Sequence, residues 1–570
     1  MKEPCLLLAS LLLVAAVLAT AARVELNWNI TYVEGTRDGY VQRRAIGVNG
    51  KVPIPPVVVT YGDTLILNVY NSLDNATSLH AHGLFQNGTV FEDGTGGVTE
   101  CGIPPGQSHT YTIRANQVGS YWIHGHNLHQ NMDGLCTPFI IREQHPHAHN
   151  YNEEVLISLE DWFPTESIKK IESLIKPGSQ TSTSPKYHAF GLINGYNGND
   201  TTPIKFTPGK RYRFRIVSMA TEESWKFSIP GHKLEVIEVD GTYTQSHFVD
   251  GLVLEPGQRI SVIVTARDSD AYNFFYNATL YANFIPPVPG ENPRYYKGLI
   301  EYRKNAPLWE EARRSDSKLV WADDVDIQNW DGEPALPVDR QIELKVQHYI
   351  TMEGANLRTL NVHAYETPLV PSLFTAVTTD RLAGNRAIYG PQAEAFILNH
   401  LEVIEIILVN PTESAHVFHL HGHNFQVVER GPANRDELTM IPNGMYANKT
   451  VPVIPVRRNR GAPIRRDTVS VPEFSYVKLR FRADNPGVWL FHCHMDTHHM
   501  LGMAVTFVEA PHVLQQQQPL IPKELQEMCL AQGRNISGNA AGNAGFDFTG
   551  LPQVPALAAN QTLAKVPVNY

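Results

Sequence analysis

Ten of the chain's 24 histidines stand in four tight groups: His80 and His82; His124 and His126; His416, His419 and His421; and His492, His494 and His498, with Cys493 between the first two of the last group. In a β-strand, residues two apart project from the same face, so each His-X-His presents two imidazoles together. That is the spacing of metal ligands. One such pair arises easily on any alternating strand, but four in one chain are not coincidence. The last group says most about the metal. A thiolate flanked by imidazoles can bind one ion while its neighbours bind others, so the centres are wired through the backbone. Cys493, His498, Met503 and a histidine from another segment make up the two-His, one-Cys, weak-Met set that selects a blue-copper electron-transfer centre. Zinc also accepts His and Cys, but it has no redox use for a wired thiolate and normally takes a closed four-ligand site.

The elements that must carry these ligands read as strands. Short runs rich in Val, Ile, Thr, Tyr and Phe, such as residues 56–69, 401–409 and 476–481, are broken throughout by Gly, Pro and Asn-Gly. Helical periodicity is confined to residues 166–175, beside a polar stretch, 177–185, that reads as a loop insertion. Breaks at 142–151 and 305–338 predict an all-β chain of three sandwich domains, 23–145, 150–305 and 340–512, followed by an extended C-terminal tail over 513–570 that opens with a run of glutamines. The first and third domains share an echo. His80-Ala81-His82-Gly83 answers His419-Leu420-His421-Gly422, and each is followed by a second His-X-His. The middle domain has only isolated histidines, His188, His232 and His247.

Composition bounds the setting. A chain of 570 residues that is 42% hydrophobic and 18% charged supports two to four compact domains. Residues 1–22 run from Met1-Lys2 through an apolar core into Ala19-Thr20-Ala21-Ala22, the build of a cleavable secretory signal, with the mature chain starting near Arg23. The apolar run is shorter than the ~20 residues that span a bilayer, and no later segment is long and apolar enough, so no transmembrane anchor is expected. Sequons at Asn29, Asn75, Asn87, Asn199, Asn277, Asn448, Asn535 and Asn560 fit a secreted glycoprotein. A formal charge of -10 offers no basic face to nucleic acid or anionic lipid. Beyond the signal, Cys101, Cys136, Cys493 and Cys529 are too few for a disulfide scaffold and read as one pair and two special cases.

Four signatures now stand together: His80-Ala81-His82-Gly83; Trp122-Ile123-His124-Gly125-His126; His416-Val417-Phe418-His419-Leu420-His421-Gly422-His423; and His492-Cys493-His494 through His498 to Met503. With them, nearly the whole mature chain resembles the blue multicopper oxidases, the family of laccases, ascorbate oxidases and fungal iron-uptake ferroxidases. The resemblance implies three cupredoxin-like Greek-key domains and four copper ions. It assigns His416, Cys493, His498 and axial Met503 to a type 1 copper, and His80 and His419 to a type 2 copper. His82, His124, His126, His421, His492 and His494 go to a binuclear type 3 pair. The first and third domains would clasp the cluster, with the middle one as spacer and part of the substrate wall. A disulfide from Cys101 to Cys529 is implied, leaving Cys136 unpaired and buried. Where many laccases place Leu or Phe, Met503 stands, which implies a weaker oxidant.

The same resemblance implies the activity: single electrons enter by the edge of His498 or His416, Cys493 and its histidine neighbours carry them on, and O2 is reduced to water. Asp93 and Asp496 occupy positions where relatives keep proton-handling acids, although Asp93 also reads as the cap of a turn before Gly94. His423 and His499 adjoin ligands and read as supporting or surface groups. His145, His147 and His149 read as an exposed polar linker, and Arg465-Arg466-Asp467 as a brace or a plain ion pair. Iron-uptake ferroxidases hold Fe2+ with acids at positions that here read Thr412 and Ser184-Pro185-Lys186, and they end in a membrane helix not found here. Glu413 is displaced by one residue and is a candidate to accept a phenol's proton. The sequence reading therefore favours a secreted, monomeric, laccase-like oxidase of phenolic or pigment-precursor compounds. Oxidation of Fe2+ is the alternative, and a non-catalytic copper-binding protein the alternative of another class.

Overall fold

The strand Ser475–Arg482 shows how the sheets form: Val477, Leu479 and Phe481 alternate inward while Tyr476, Lys478 and Arg480 remain partly exposed, the pattern of a strand with one wet face. The strand Gly487–Cys493 is buried throughout, as its unbroken apolar run requires of a strand covered on both faces. The computed structural model describes residues 21–552 except 128, 145–148, 176–188, 198–201, 282–293, 310–318, 353–354 and 435–453.

Six sheets pair into three sandwiches. The first has a four-stranded sheet ordered Arg43–Val48, Arg23–Gly35, Thr64–Asn71, Ser108–Arg114 against another ordered Val57–Thr60, Cys136–Arg142, Gly119–Gly125, Leu79–His82. The middle and third sandwiches each set a seven-stranded sheet on a five-stranded one. In the third, the smaller sheet runs Ala395–Leu398, Ala504–Glu509, Gly487–Cys493, His416–Leu420, Thr468–Val471. One continuous apolar core joins the middle and third sandwiches, and a second fills the first sandwich and reaches the C-terminal residues. The architecture is the expected all-β one. Among the described residues no helix is long and apolar enough to cross a membrane.

The C-terminal segment departs from the expectation of an extended tail. Helices Pro511–Gln517 and Lys523–Ala531 bury Leu514, Leu525 and Met528 in the core of the first sandwich, and Cys529 is joined to Cys101 by a disulfide. The glutamine run obscured the pattern. Leu525, Met528 and Cys529 recur at i, i+3 and i+4, one helical face. Residues 553–570 lie outside the described residues, as do 1–20 of the signal-like segment. The helix Ser167–Ile175 falls where periodicity placed it, and the loop reading of 177–185 lies outside the described residues. Unanticipated in the third domain are the helix Ser372–Thr378 and the 3-10 turns that follow it, which lead into the strand Ala395–Leu398.

Candidate metal centres

Cross-strand register brings the histidine pairs together. His80 lies opposite His124 in the first domain, and His419 opposite His492 in the third. The two domains then meet face to face across these strands. The rings of His82 and His419 stack at 3.7 Å between centroids, those of His80 and His421 lie 4.1 Å apart, and His126 and His421 5.0 Å. Three all-histidine donor sets result: His80, His82 and His124; His80, His419 and His421; and His126, His421 and His492. Within each, the ligand atoms lie within 4.8 Å of one another.

The donor chemistry fits copper. His80 Nδ1 donates to Asp93 O at 2.7 Å and His419 Nδ1 to Asp467 O at 3.0 Å, which leaves the buried Nε2 of each with no protein partner. The Nε2 of His124 is orphaned likewise. His82 Nδ1 faces His494 Nε2 at 3.2 Å, and His421 Nε2 faces His492 Nε2 at 3.2 Å. Two nitrogens each ~2.0 Å from one ion stand about this far apart. Burial pushes His421 down to about 3 and holds His82, His124, His126, His492 and His494 well below the usual imidazole range. They are therefore neutral, the ligating form.

A second centre lies in the third domain alone. His416 Nδ1 and His498 Nδ1 are 3.1 Å apart, and Cys493 Sγ is 3.9 Å from the first and 3.7 Å from the second. Met503 is buried beside them; its carbonyl accepts from Cys493 N at 2.9 Å and its N–H donates to His498 O at 3.1 Å. Burial pushes the Cys493 thiol up to about 12 and His416 down to about 3, so the sulfur waits for a metal before it ionises. Neighbouring side chains of a strand point to opposite faces. At the end of Gly487–Cys493, His492 therefore turns to one centre and Cys493 to the other. His498 is 7% exposed and His416 fully buried, which makes His498 the edge nearer solvent.

Charged groups behind the ligands hold the domains in place. His421 Nδ1 of the third domain donates to Asp93 Oδ2 of the first at 3.0 Å, and Thr95 Oγ1 donates to the same oxygen. Burial alone would raise the Asp93 carboxyl, but His421 and His80 outweigh it and hold it well below the carboxylate range. Asp93 thus does more than cap its turn. Asp467 Oδ1 accepts from His82 Nε2 at 3.0 Å, while Arg259 clamps both its oxygens at 2.7 and 2.6 Å. Burial raises Asp467 too, and Arg259 and His82 reverse the effect. Arg259 belongs to the middle domain, so that domain is not only spacer and wall, which is a correction. Gly257, also of the middle domain, sits at φ +81° with His494 Cδ2 and His82 Cε1 each 3.0 Å from where a Cβ would stand.

Of the three acids singled out from sequence, two reach the multi-histidine site. Besides Asp93, Asp496 is buried with its Oδ1 3.6 Å from His129 Nδ1. Glu413 is exposed in the turn before His416, and Thr412 Oγ1 lies 3.2 Å from His416 Nε2. His423 is buried and donates to Glu509 at 2.6 Å, and the His499 ring lies 4.3 Å from that of His492. His149 is buried against Thr244 O, not exposed as a linker residue would be, because its ring packs on Trp330; His145 and His147 lie outside the described residues. Cys136 is free and buried, as implied. Arg259 was missed, although an arginine heading the apolar strand Arg259–Thr265 is a signal that its charge is paired.

Comparison with known proteins agrees with this geometry. Family models described as multicopper oxidase match residues 29–146, 153–297 and 365–513. The chain is 37% identical over 582 residues to the iron multicopper oxidase fer1 of Mycosarcoma maydis, covering 96% of this chain and 90% of the relative. It is 35% identical over 529 residues to the iron transport multicopper oxidase fetC of Epichloe festucae, covering 92% and 82%. Among solved structures it superposes on Fet3p, described as a multicopper oxidase that functions in iron import, with TM-score 0.84 at 30% identity over 94% of this chain and 100% of that one. It shares its fold with the laccase of Botrytis aclada, TM-score 0.71 at 24% identity over 90% and 92%. Ligand signatures, paired sandwiches and these relatives agree: the chain belongs to the multicopper oxidase family, oxidoreductases that use O2 and bind four coppers, one type 1, one type 2 and a binuclear type 3 pair.

Proposed function

We propose that this oxidase takes its electrons from Fe2+. The sequence reading preferred phenols because it found no acids at the expected iron positions, but a carboxylate from the middle domain reaches the residue next to His498. Glu222, of the middle domain, accepts from Thr497 N at 2.8 Å and Thr497 Oγ1 at 2.7 Å, directly beside His498, with its side chain 13% exposed. A carboxylate bonded to the chain neighbour of an electron-accepting imidazole, with Lys170 Nζ 3.9 Å away, suits Fe2+, which takes mixed oxygen and nitrogen donors. This is the observation that carries the reading. The similarity to proteins named iron multicopper oxidase or iron transport multicopper oxidase supports it. The phenol reading keeps one argument, the Thr412 hydroxyl at His416 where an iron-binding acid was sought; Ser184-Pro185-Lys186 lies outside the described residues.

In this reading His416, Cys493, His498 and Met503 hold the type 1 ion, and His80 and His419 the type 2 ion. His82, His124 and His494 hold one ion of the type 3 pair, and His126, His421 and His492 the other. Bound copper supplies one-electron acceptance and the four-electron reduction of O2. The chain supplies the rest: Cys493 joins the centres through its bonded neighbours His492 and His494, and Asp93 and Asp496 handle protons at the cluster. The Cys101–Cys529 disulfide, the signal-like residues 1–22 and the sequons support secretion to the medium or wall.

Oxygen uptake with Fe2+ and with a diphenol tests this. The expected result is a kcat/KM for Fe2+ at least about 10-fold above that for the diphenol, with Glu222→Gln lowering only the former. A higher value for the diphenol returns the phenol reading.

A further inference from the structure

The strand Phe274–Tyr281 is the third of five in the smaller sheet of the middle domain. Its residues alternate: Phe274, Tyr276, Ala278 and Leu280 enter the core, while Phe275, Asn277 and Thr279 stay partly exposed on the outer face. Those outward three spell Phe-X-Asn-X-Thr, a glycan acceptor with an aromatic ring two residues before it. Alternation sets ring, amide and hydroxyl in a row on one face, about 7 Å from each to the next. Register places Lys297 directly opposite Asn277 on one side and Ser228 on the other, so no ring is paired directly against the amide. The surroundings are aromatic nonetheless. Tyr295 is 43% exposed and Tyr281 46%, and Lys297 Nζ lies 5.4 Å from the ring centroid of Phe275 and 5.2 Å from that of Tyr295.

We propose that Asn277 carries an N-linked glycan whose first N-acetylglucosamine lies over Phe275 and closes the aromatic outer face of the middle domain, a modification that rests on the secretory route proposed above. In that step the carboxamide nitrogen of Asn277 bonds to C1 of the sugar, the C1–O bond to a lipid-linked pyrophosphate donor breaks, and the displaced pyrophosphate takes up the nitrogen's proton. One side of the sugar ring is lined by C–H bonds, which meet the negative face of an aromatic ring favourably, while the hydroxyls stay in water. Lys297 is exposed and its stem is flexible, so it turns aside from Phe275 and donates to sugar oxygens instead. A bare aromatic face invites association with other proteins. A bulky, hydrated sugar on the middle strand of this sheet keeps them off.

Full-length protein secreted by a eukaryotic host and digested to peptides tests the modification by mass spectrometry. The peptide holding Asn277 should bear a glycan in most chains. An unmodified Asn277 with other sequons occupied overturns the proposal, and glycan at no sequon sinks the secretory route with it. The stacking has its own readout. Asn277→Gln should lower the melting temperature of the copper-loaded protein by about 2–4 °C, and so should Phe275→Thr. Phe275→Thr added to Asn277→Gln should cost markedly less than it does alone, because ring and sugar act through each other. Strictly additive losses would overturn the contact. If Phe275→Thr does not fold, glycans trimmed enzymatically to one sugar decide the matter. Trimmed wild type should then melt above trimmed Asn277→Gln, since the first sugar makes the contact, and equal melting of the two overturns it.

Discussion

Arg259 and Asp467 lie 208 residues apart in sequence and meet through two hydrogen bonds of 2.7 and 2.6 Å, with both side chains buried. Asp467 passes the constraint on to His82 of the first domain, so one ion pair ties all three domains at the cluster. Removing one partner of such a pair strands a buried charge, at a cost of about 3–5 kcal/mol. Arg259→Met should lower the melting temperature and lose cluster copper, with the type 1 absorption retained. Arg259→Lys keeps the charge but not the two-pronged fit, and should fall between. Thermal melts with copper analysis check both.

Gly257 presses the middle domain against His82 and His494. A methyl group there meets both rings at 3.0 Å and strains a backbone at φ +81°. Gly257→Ala should cost about 1–3 kcal/mol and reduce copper occupancy at the cluster selectively. Urea unfolding and copper stoichiometry measure the two effects separately.

Glu100 gives a pH dependence of stability. Burial pushes its carboxyl up to about 8, hydrogen-bonding from Tyr111 only partly opposing. Folded chains keep it protonated between its ordinary value of 4.5 and about 8, whereas unfolded chains do not. Its contribution is therefore full below the unfolded value and is lost as pH rises through the folded one, at about 1.4 kcal/mol per pH unit. Glu100→Gln should match wild type at acid pH and be the more stable of the two at pH about 8. Urea melts at both pH values test this, and parallel pH profiles would contradict it.

Cys529→Ser removes the tie between the C-terminal helices and the first domain. A bridge across 428 residues closes a long loop, so its loss should cost about 2–5 kcal/mol. The helix Lys523–Ala531 should become cleavable by protease before the sandwiches do. A fragment pattern identical to wild type would show that Leu525 and Met528 hold the helix unaided.

The sequence by itself determined the chemistry. Strand alternation is a local rule: it makes each His-X-His a pair and sends His492 and Cys493 to opposite sides, so ligand types, the metal and two linked centres could be read from spacing alone. Only the tertiary structure decided which distant imidazoles come together, as His82 does with His494 and His126 with His421. It alone decided that Arg259 and Gly257 of the middle domain shape the cluster, that Glu222 reaches His498's neighbour, and that the C-terminal residues fold into helices. Those contacts join side chains up to 428 residues apart. They depend on how whole sheets pack, on complementary shape and paired buried charge, which no local period records.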